Sequence, residues 1–258
     1  MLTTHKENAD MTLQDKVEQW RRETAELEPG VLIAWAWREF GNDVVLASSL
    51  GAEDQVLTHL IAEHAARIPV ITLDTGRLFG ETHDLLNETR RRYDVDLRVF
   101  FPDAGKVEEM VNEHGTNLFR ESVDLRKKCC AVRKIQPLKR ALDGKKAWIT
   151  GLRRDQSLNR TAIDFVEWDA GNNLVKINPL AAWREEDVRD FLIRHDVPYN
   201  PLHDRGFPSI GCAPCTRAVE PDDDPRSGRW WWEPREQSEC GIHIVNGKVT
   251  RRVPVLVE

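Results

Sequence analysis

Two kinds of segment alternate over the first 150 residues, distinguished by where their apolar positions fall. Apolar runs of strand length occupy residues 43–47, 70–73, 97–101 and 147–150. Apolar residues recur with helical spacing in the segment before Pro69 and over residues 81–93, 106–113 and 125–142. Runs that are apolar throughout are typical of strands buried on both faces. The alternation therefore predicts an α/β fold, a parallel twisted sheet with helices on both faces.

The pattern changes after the fourth apolar run. Residues 163–168 and 174–177 predict a hairpin around Gly171-Asn172-Asn173, and residues 184–195 predict a helix. Beyond Pro198 the regular spacing fades. The last forty residues are too few, and too rich in Pro, Asp and Arg, to bury a core alone.

We therefore predict one domain with an appendage. Residues 1–219 form the α/β domain, and residues 220–258 form a mobile C-terminal tail that belongs to the same domain and does not fold independently. The stretch at residues 221–228, rich in Pro, Asp and Gly, is the predicted hinge of this tail.

Three polar turns follow predicted strands: Ser48-Ser49-Leu50-Gly51, Asp74-Thr75-Gly76 and the segment from Gly151 onward. Because ligands of open α/β sheets bind beyond the carboxyl ends of the strands, we expect these turns to line one crevice. The first turn opens a helix, whose N–H groups attract phosphate, although it lacks the Walker A lysine and the GxGxxG spacing. Arg153 and Arg154 bring two guanidinium groups to the crevice rim, where they suit phosphate or sulfate.

Composition narrows the class of protein. With 40% hydrophobic and 31% charged residues, the chain is typical of a soluble globular protein. Its longest apolar run, residues 31–37, has seven residues where a bilayer requires roughly 20. Residues 1–10 lack the apolar core of a signal peptide. We therefore expect a cytoplasmic protein without a membrane segment.

The charge is unevenly distributed along the chain. The net charge is −6, which argues against a protein that coats nucleic acid. Residues 120–160 nevertheless carry thirteen Lys or Arg against four Asp or Glu. We interpret this segment as the binding region for a compact anion; the alternative is a solvated basic helix face.

The five cysteines divide into two pairs and a single residue. Cys129 and Cys130 are adjacent, and Cys212 and Cys215 form a CxxC 82 residues later. Four thiolates suit zinc or an iron–sulfur cluster. Since adjacent side chains on a helix diverge by about 100°, the doublet favours a cluster with several irons over a single zinc ion. Incidental buried thiols, or a thioredoxin-like redox pair in the CxxC, remain as alternatives.

Cys240 stands alone in Glu239-Cys240-Gly241-Ile242-His243. Its polar flanks predict an exposed, reactive thiol, whereas a lone cysteine in general is more often a small core residue. Upstream lies a basic and aromatic patch that consists of Arg226, Arg229 and Trp230 to Trp232. Its three adjacent tryptophans suit either substrate contact or docking of the tail.

Four motifs together resemble the assimilatory sulfonucleotide (APS/PAPS) reductases: Lys128-Cys129-Cys130, Arg153-Arg154-Asp155-Gln156-Ser157, Gly211-Cys212-Ala213-Pro214-Cys215 and Glu239-Cys240-Gly241-Ile242-His243. Within that family the chain is most similar to the iron–sulfur, thioredoxin-dependent branch. The resemblance spans residues 43–243 and implies an adenine nucleotide α-hydrolase-like (Rossmann-like) fold. It also implies reduction of adenosine 5'-phosphosulfate (APS) to sulfite and AMP, through an S-sulfocysteine, in sulfate assimilation and cysteine biosynthesis.

The resemblance assigns a role to individual residues. The catalytic residues would be Cys240, His243 and Lys134. The ligands of a [4Fe-4S] cluster would be Cys129, Cys130, Cys212 and Cys215. The substrate contacts would be Ser48, Gly51, Asp54, Thr75, Arg154, Arg160, Arg226 and Arg229. Many relatives read S-x-S-G in the first turn, so the presence of Leu50 means that one hydroxyl contact is missing or has moved to Ser49.

If four cysteines are ligands, none remains in the chain to release the product from Cys240. An external dithiol is then required, which the resemblance identifies as thioredoxin or a glutaredoxin-like protein. Self-association into a homo-oligomer stays open.

Three other functions remain as alternatives. One is reduction of 3'-phosphoadenylyl sulfate, although relatives that use this nucleotide generally lack both cysteine pairs. An ATP-dependent tRNA-thiolating enzyme would require an SGGxDS-type loop, which residues 48–54 do not supply. A cluster-based redox sensor that binds DNA would require a recognition helix and a more basic surface.

Overall fold

The computed structural model describes residues 11–156 and 163–233. Its centre is a six-stranded sheet with the strand order β3-β2-β1-β4-β6-β5. The strands are β1 (Val44–Ser48), β2 (Val70–Leu73), β3 (Leu97–Phe100), β4 (Ala147–Ile149), β5 (Val166–Asp169) and β6 (Leu174–Ile177). All neighbouring pairs are parallel except β5 and β6, which run antiparallel at one edge. The predicted α/β fold is confirmed.

Eight α-helices surround the sheet within the described residues. They are α1 (Leu13–Thr24), α2 (Pro29–Phe40), α3 (Ala52–His64), α4 (Gly80–Arg92), α5 (Ala104–His114), α6 (Val123–Cys130), α7 (Gln136–Leu142) and α8 (Glu185–Arg194). The sequence pattern did not predict α1 and α2. Their signals were the capping box of Thr12 with Asp15 and the proline at the first position of α2.

The long helix predicted over residues 125–142 is interrupted. One turn of π-helix, Ala131–Ile135, separates α6 from α7 and begins directly after the cysteine doublet. Single π-turns widen a helix locally and are frequent at functional sites. The interruption therefore changes the directions of the side chains next to the doublet without ending the helix.

The core lies on both faces of the sheet. Val44 and Leu46 of β1 pack against α1, α2, α3 and α8 on one face. Val45 packs on the opposite face against Leu138 and Leu142 of α7. Burial on both faces is why residues 44–47 of β1 are all apolar and why the strand could be recognised from sequence.

The predicted hairpin is confirmed. Its turn is stabilised by the Asp169 carboxylate, which accepts hydrogen bonds from the backbone N–H groups of Gly171 and Asn172 at 3.0 and 3.3 Å. Asn173 takes the left-handed conformation with φ 56°. None of the helices in the described ranges has the length and apolar character that a membrane span requires.

The described part of the predicted tail is attached to the domain. Arg229 forms a β-bridge with Thr216, and the backbone N–H of Arg217 donates to Gly228 O at 3.0 Å. Trp230 is 2% exposed. The chain is thus fixed immediately after the predicted hinge at residues 221–228. The predicted mobility of the tail beyond residue 233 lies outside the described residues, and the domain boundary at residue 219 stays a prediction.

Candidate active site

The two cysteine pairs meet at one cavity. Cys129 and Cys130 end α6, and Cys212 and Cys215 flank a 3-10 turn, Ala213–Cys215. The cavity, of about 20 Å³, is lined by all four thiols together with Arg77, Phe119, Arg126, Arg133, Lys134, Pro214, Arg229 and Trp230. No disulfide joins these four cysteines. Between Cys215 and residue 233, where the description of the chain ends, no long helix follows the CxxC, whereas a thioredoxin-like redox pair has one directly after it.

Burial and crowding disfavour ionised thiols in this cavity. Burial raises the pKa of the Cys215 thiol to about 12, and the neighbouring Cys212 and Cys130 add to the rise. Burial also raises the pKa of Cys129, against the effect of the nearby Arg133 guanidinium. Four thiolates are therefore stable here only together with compensating positive charge, from the arginines or from metal ions.

The cavity brings together residues of the kinds that hold an iron–sulfur cluster. Within residues 11–156 and 163–233, no three His, Cys, Asp or Glu side chains converge closely enough to hold one metal ion. Arg133 Nε and Trp230 Nε1, on the cavity wall, are buried donors without an acceptor among the described residues. Thr75 Oγ1 lies 3.2 Å from Cys212 Sγ. Several donors around four thiols match the way proteins hold and tune an iron–sulfur cluster.

A second cavity, of about 230 Å³, opens at the carboxyl ends of β1, β2 and β4. Its wall includes Ser48, Ser49, Asp54, Thr75 and Gly151, so the three turns expected to share a crevice do so. The same wall has apolar members, which are Ala47, Ile71, Leu73, Leu138 and Trp148. A cavity with both apolar and polar wall residues suits a nucleotide, whose base is apolar and whose phosphates are charged.

The turn after β1 satisfies its own hydrogen bonds. Asp54 Oδ2 accepts from both the backbone N–H and the hydroxyl of Ser49, each at 2.6 Å. The N–H of Leu50 donates to Ser48 Oγ at 3.0 Å, and Leu50 itself is left-handed with φ 60°. Gly51 is the N-cap of α3 and is not part of the cavity wall. The Ser49 hydroxyl that could replace the contact missing at position 50 is thus bound to Asp54.

Asp54 is a buried carboxyl group at the cavity. It is 7% exposed, and burial raises its pKa from 3.8 to about 6, although the hydrogen bonds from Ser49 act in the opposite direction. Gly151 makes this packing possible, because a Cβ atom there would lie 2.6 Å from Asp54 Oδ1. A carboxyl group kept in such a place is destabilising when ionised.

We expect Asp54→Asn to stabilise the ligand-free protein as the pH rises. The folded state binds the Asp54 proton more tightly than the unfolded state, so wild-type stability falls between pH 3.8 and 6. The variant lacks this loss, and its free energy of unfolding relative to wild type should increase by about 2 kcal/mol from pH 4.5 to 7.5. Urea unfolding at the two pH values measures the change. Asp84→Asn, at an exposed position of α4, is the control; a constant difference between Asp54→Asn and wild type would contradict the expectation.

Arg153 and Arg154, the two arginines predicted at the crevice rim, both have partners within the protein. Arg153 is nearly buried and pairs with Glu53 at 2.9 Å and Asp155 at 3.4 Å, so this guanidinium has internal partners where the sequence suggested an exposed anion site. Arg154 donates to Ile163 O at 2.6 Å and stacks on Phe165.

Arg226 and Arg229 lie on the segment that docks onto the CxxC turn. Arg226 is half-buried, and its backbone N–H donates to Asp224 at 2.8 Å. Arg229 is 8% exposed and lines the cysteine cavity. Its guanidinium packs against Gly211, where a Cβ atom would overlap it. Since Gly211 belongs to the wall of the second cavity, Arg229 lies between the two cavities.

Lys134 lies on the wall of both cavities. It belongs to the π-turn, four residues after Cys130. The predicted position of this lysine, between the cysteines and a ligand, agrees with that placement. Its catalytic role stays a prediction.

The three consecutive tryptophans dock the chain. Trp230 packs with Met110, Phe119 and the cysteines Cys129 and Cys215. The other two rings contact Arg120, with centroid distances of 5.7 and 5.3 Å. Of the alternatives for these three tryptophans, the described structure therefore favours docking over substrate contact.

Some residues of the second cavity were missed in the sequence, and some predicted residues are not described. Trp148, Thr82 and Thr150 line the cavity but occur in segments whose pattern signals only a strand or a helix. Cys240, His243 and Arg160 lie outside the described residues.

Comparison with known proteins identifies relatives over most of the chain. Residues 43–218 match the model of the phosphoadenosine phosphosulfate reductase domain. A protein of Agrobacterium fabrum named adenosine 5'-phosphosulfate reductase is 49% identical over 216 residues, which cover 84% of this chain and 83% of that protein. A protein of Burkholderia cepacia with the same name is 51% identical over 201 residues, 78% of this chain and 80% of its own.

Solved structures share the fold. The crystal structure of phosphoadenylyl-sulfate (PAPS) reductase from Candida auris, a phosphate complex, matches with a TM-score of 0.70 and 27% identity. The match covers 81% of this chain and 98% of that one. Candida glabrata FMN adenylyltransferase in complex with ATP has a TM-score of 0.53 and 16% identity, covering 92% of this chain and 81% of its own. At that identity the likeness concerns the fold alone.

Proposed function

The chain belongs to the phosphoadenosine phosphosulfate reductase domain family, and on that premise we propose that it reduces adenosine 5'-phosphosulfate to sulfite and AMP. The position of Lys134 on the wall of both cavities carries the proposal, because one cation then serves the cysteine site and a cleft of suitable character for a nucleotide. Relatives that are 49% and 51% identical and are named for this substrate support APS in particular. The 3'-phosphorylated nucleotide is the second candidate, favoured by the Candida auris structure.

The proposed cofactor is a [4Fe-4S] cluster held by Cys129, Cys130, Cys212 and Cys215. Support comes from the single cavity that the four thiols share and from the cations around it. When bound, the cluster supplies a compact centre of charge beside the substrate, and we assign it no electron transfer. Lys134 and Arg229, which lie on the same cavity wall, would set the electrostatic potential between cluster and nucleotide.

The proposed nucleophile is Cys240. Its thiolate attacks the sulfur of the sulfate group, so that an S–S bond forms while the S–O bond to the phosphate breaks. AMP leaves with the bonding electron pair, and an S-sulfocysteine remains on the protein. An ordinary thiol, with a pKa near 8.5, is only about 3% ionised at pH 7. We assign His243 and Lys134 the role of favouring the thiolate through their positive charge.

In this step an anion attacks an anion, so the repulsion must be offset by cations. Of the described residues, Lys134 and Arg229 are the best placed. Lys134 lies on the wall of both cavities, and Arg229 lines the cysteine cavity and packs against Gly211 of the second one. In a site with little water, such charges stabilise the developing charge on the AMP phosphate. Arg154, Arg160 and Arg226 complete the proposed anion contacts, and Ser48, Gly51, Asp54 and Thr75 complete the nucleotide site.

The second half of the reaction requires a partner protein. With four of the five cysteines as ligands, Cys240 has no second thiol in the chain. We propose thioredoxin, or a glutaredoxin-like dithiol, as the reductant. One thiolate of the partner attacks Cys240 Sγ and releases sulfite. The partner's second thiol then attacks the mixed disulfide, which regenerates the Cys240 thiolate and leaves the partner oxidised by two electrons. The reducing cytoplasm suits this chemistry.

The test is an assay of sulfite and AMP with purified protein and reduced thioredoxin. We expect equal amounts of the two products from APS, and none without a nucleotide. With 3'-phosphoadenylyl sulfate, we expect a kcat/KM at least about tenfold lower, equivalent to a loss of about 1.4 kcal/mol of transition-state binding. A higher kcat/KM for the 3'-phosphorylated nucleotide than for APS would show that the 3'-phosphorylated nucleotide is the preferred substrate. Absence of sulfite with both nucleotides would contradict the proposed function.

A further inference from the structure

The second cavity has its cation and its acids on different sides. Among the described residues of its wall, Lys134 is the one cation, and Glu53 and Asp54 are the acids. Lys134 lies on the side of β2, because its neighbour Arg133 donates to Thr75 O, in the turn after that strand, at 2.6 Å. The acids belong to the first turn of α3, after β1. An anionic group is therefore attracted to one side of the cavity and repelled by the other.

The two acids lie toward β4, which neighbours β1 on the side away from β2. A Cβ atom on Gly151, in the turn after β4, would lie 2.9 Å from Glu53 Cβ and 2.6 Å from Asp54 Oδ1. Asp54 is engaged in its own turn through the two hydrogen bonds from Ser49. Glu53 is therefore the acid that remains for a ligand.

The Glu53 carboxylate has one oxygen that is held within the protein. Oε1 accepts from Arg153 Nε and from Gln156 Nε2, each at 2.9 Å. Oε2 accepts no hydrogen bond from residues 11–156 or 163–233. The side chain is 20% exposed and lies on the cavity wall. The two bonds at Oε1 thus fix the carboxylate and leave Oε2 as an acceptor for a donor of the ligand.

The placement of these charges orients a nucleoside 5'-phosphosulfate in the cavity. Its phosphate and sulfate carry the negative charge, so that end belongs beside Lys134 and the cysteine cavity. The nucleoside end then lies toward Glu53 and Gly151. A ribose hydroxyl is a donor and a carboxylate only accepts, so the two are complementary. Dinucleotide-binding folds likewise bind a ribose hydroxyl with an acidic residue, and use an arginine where a phosphate replaces that hydroxyl.

A 3'-phosphate on the ribose reverses this complementarity. It removes the donor and adds about two negative charges beside the carboxylate. The wall is mostly shielded from water, so the repulsion between the two groups is screened less than at an exposed surface. Like charges opposed in this way are an established means of rejecting the wrong ligand.

We propose that Glu53 determines the preference for a nucleotide with a free 3'-hydroxyl. Oε2 accepts a hydrogen bond from the ribose, and its charge excludes a 3'-phosphate. The inference rests on the proposed function and deepens it, because it concerns the nucleotide site of that reaction. It predicts that Glu53 sets the ratio of two affinities, whereas a purely structural role would change both affinities alike.

The main variant is Glu53→Gln. The amide has the same shape and keeps an oxygen that accepts from Arg153, so the charge is removed with little change in packing. Arg153 then loses a negative partner, and its guanidinium becomes more attractive to a phosphate. Glu53→Asp retains the charge and should retain most of the discrimination. The control is Glu63→Gln, the same chemical change at an exposed position of the same helix.

The readout is the dissociation constant of AMP and of adenosine 3',5'-bisphosphate, measured by isothermal titration calorimetry on full-length protein whose circular dichroism matches wild type. Wild type should bind AMP at least about tenfold more tightly than the bisphosphate. Glu53→Gln should bring the two constants within about threefold of each other, chiefly through tighter binding of the bisphosphate. Glu63→Gln should match wild type.

Equal affinities in wild type, or the wild-type ratio in folded Glu53→Gln, would overturn the inference. If Glu53→Gln does not fold, Gln156→Lys decides, because it places a cation beside the same carboxylate without removing it. This variant should narrow the ratio too, and an unchanged ratio would overturn the inference. Absence of sulfite from APS, in protein that shows the expected ratios, would instead contradict the proposed function. Failure of wild type to bind AMP would overturn both.

Discussion

Cys240→Ser should stop sulfite formation, lowering the rate on the order of ten-thousandfold or more. A serine hydroxyl is almost entirely protonated near neutral pH, and its oxygen cannot form the S–S bond that a dithiol later cleaves. Nucleotide binding should be retained, because the substitution exchanges one sulfur atom for oxygen and leaves the described wall of the nucleotide cavity unchanged. The measurement uses APS labelled with ³⁵S and follows both released sulfite and label bound to protein.

The expected pattern separates binding from chemistry. Wild type without thioredoxin should retain one label per chain, and reduced thioredoxin should release it as sulfite. Cys240→Ser should bind the nucleotide and stay unlabelled. Ser238→Ala, a change of similar size two residues away, should be labelled like wild type. A labelled Cys240→Ser protein would show that another residue is the nucleophile.

The parallel core of the fold could be predicted because burial on two faces leaves a local signal. β1, β2 and β4 are short and mostly apolar, and the helical spacing after β1 and β2 is regular. The antiparallel pairing of β5 could be predicted as a hairpin, but its place at the edge of the same sheet depends on contacts that no local pattern records. The helices α1 and α2 leave weaker signals, because α1 contains only three apolar residues and residues 31–37 of α2 form a continuous apolar run without helical spacing.

The site was predictable where topology alone brings residues together. Ser48, Thr75 and Gly151 share a cavity because parallel strands end at one edge of the sheet. Pairings between distant charges could not be predicted in this way. Glu53 neutralises Arg153, and Glu233 neutralises Arg126 across 107 residues, and neither partner is marked by its neighbours in sequence. A count of positive charge over residues 120–160 therefore overstated the number of cations that face a ligand.

Replacing Cys215 with serine should remove the cluster, the second largest effect that we expect. Cys215 is 8% exposed and packs with Met110, Phe119 and Trp230. A neutral hydroxyl is a poor ligand for iron, and one buried in this apolar wall without a partner costs about 1–3 kcal/mol. The purified variant should lose most of its iron and sulfide, its visible absorbance and its activity, and it should melt at a lower temperature than wild type.

Cys240→Ser is the matched control, because it is the same chemical change at the remaining cysteine. It should keep the iron of wild type while losing activity, whereas Cys215→Ser should lose both. The comparison distinguishes four ligands and one nucleophile from five equivalent thiols. Zinc in place of iron in the wild-type protein would contradict the cluster, and full iron content in Cys215→Ser would remove this cysteine from the ligand set. If both variants behave as expected, the requirement for an external dithiol follows from the cysteine count, since no thiol is left in the chain to release sulfite.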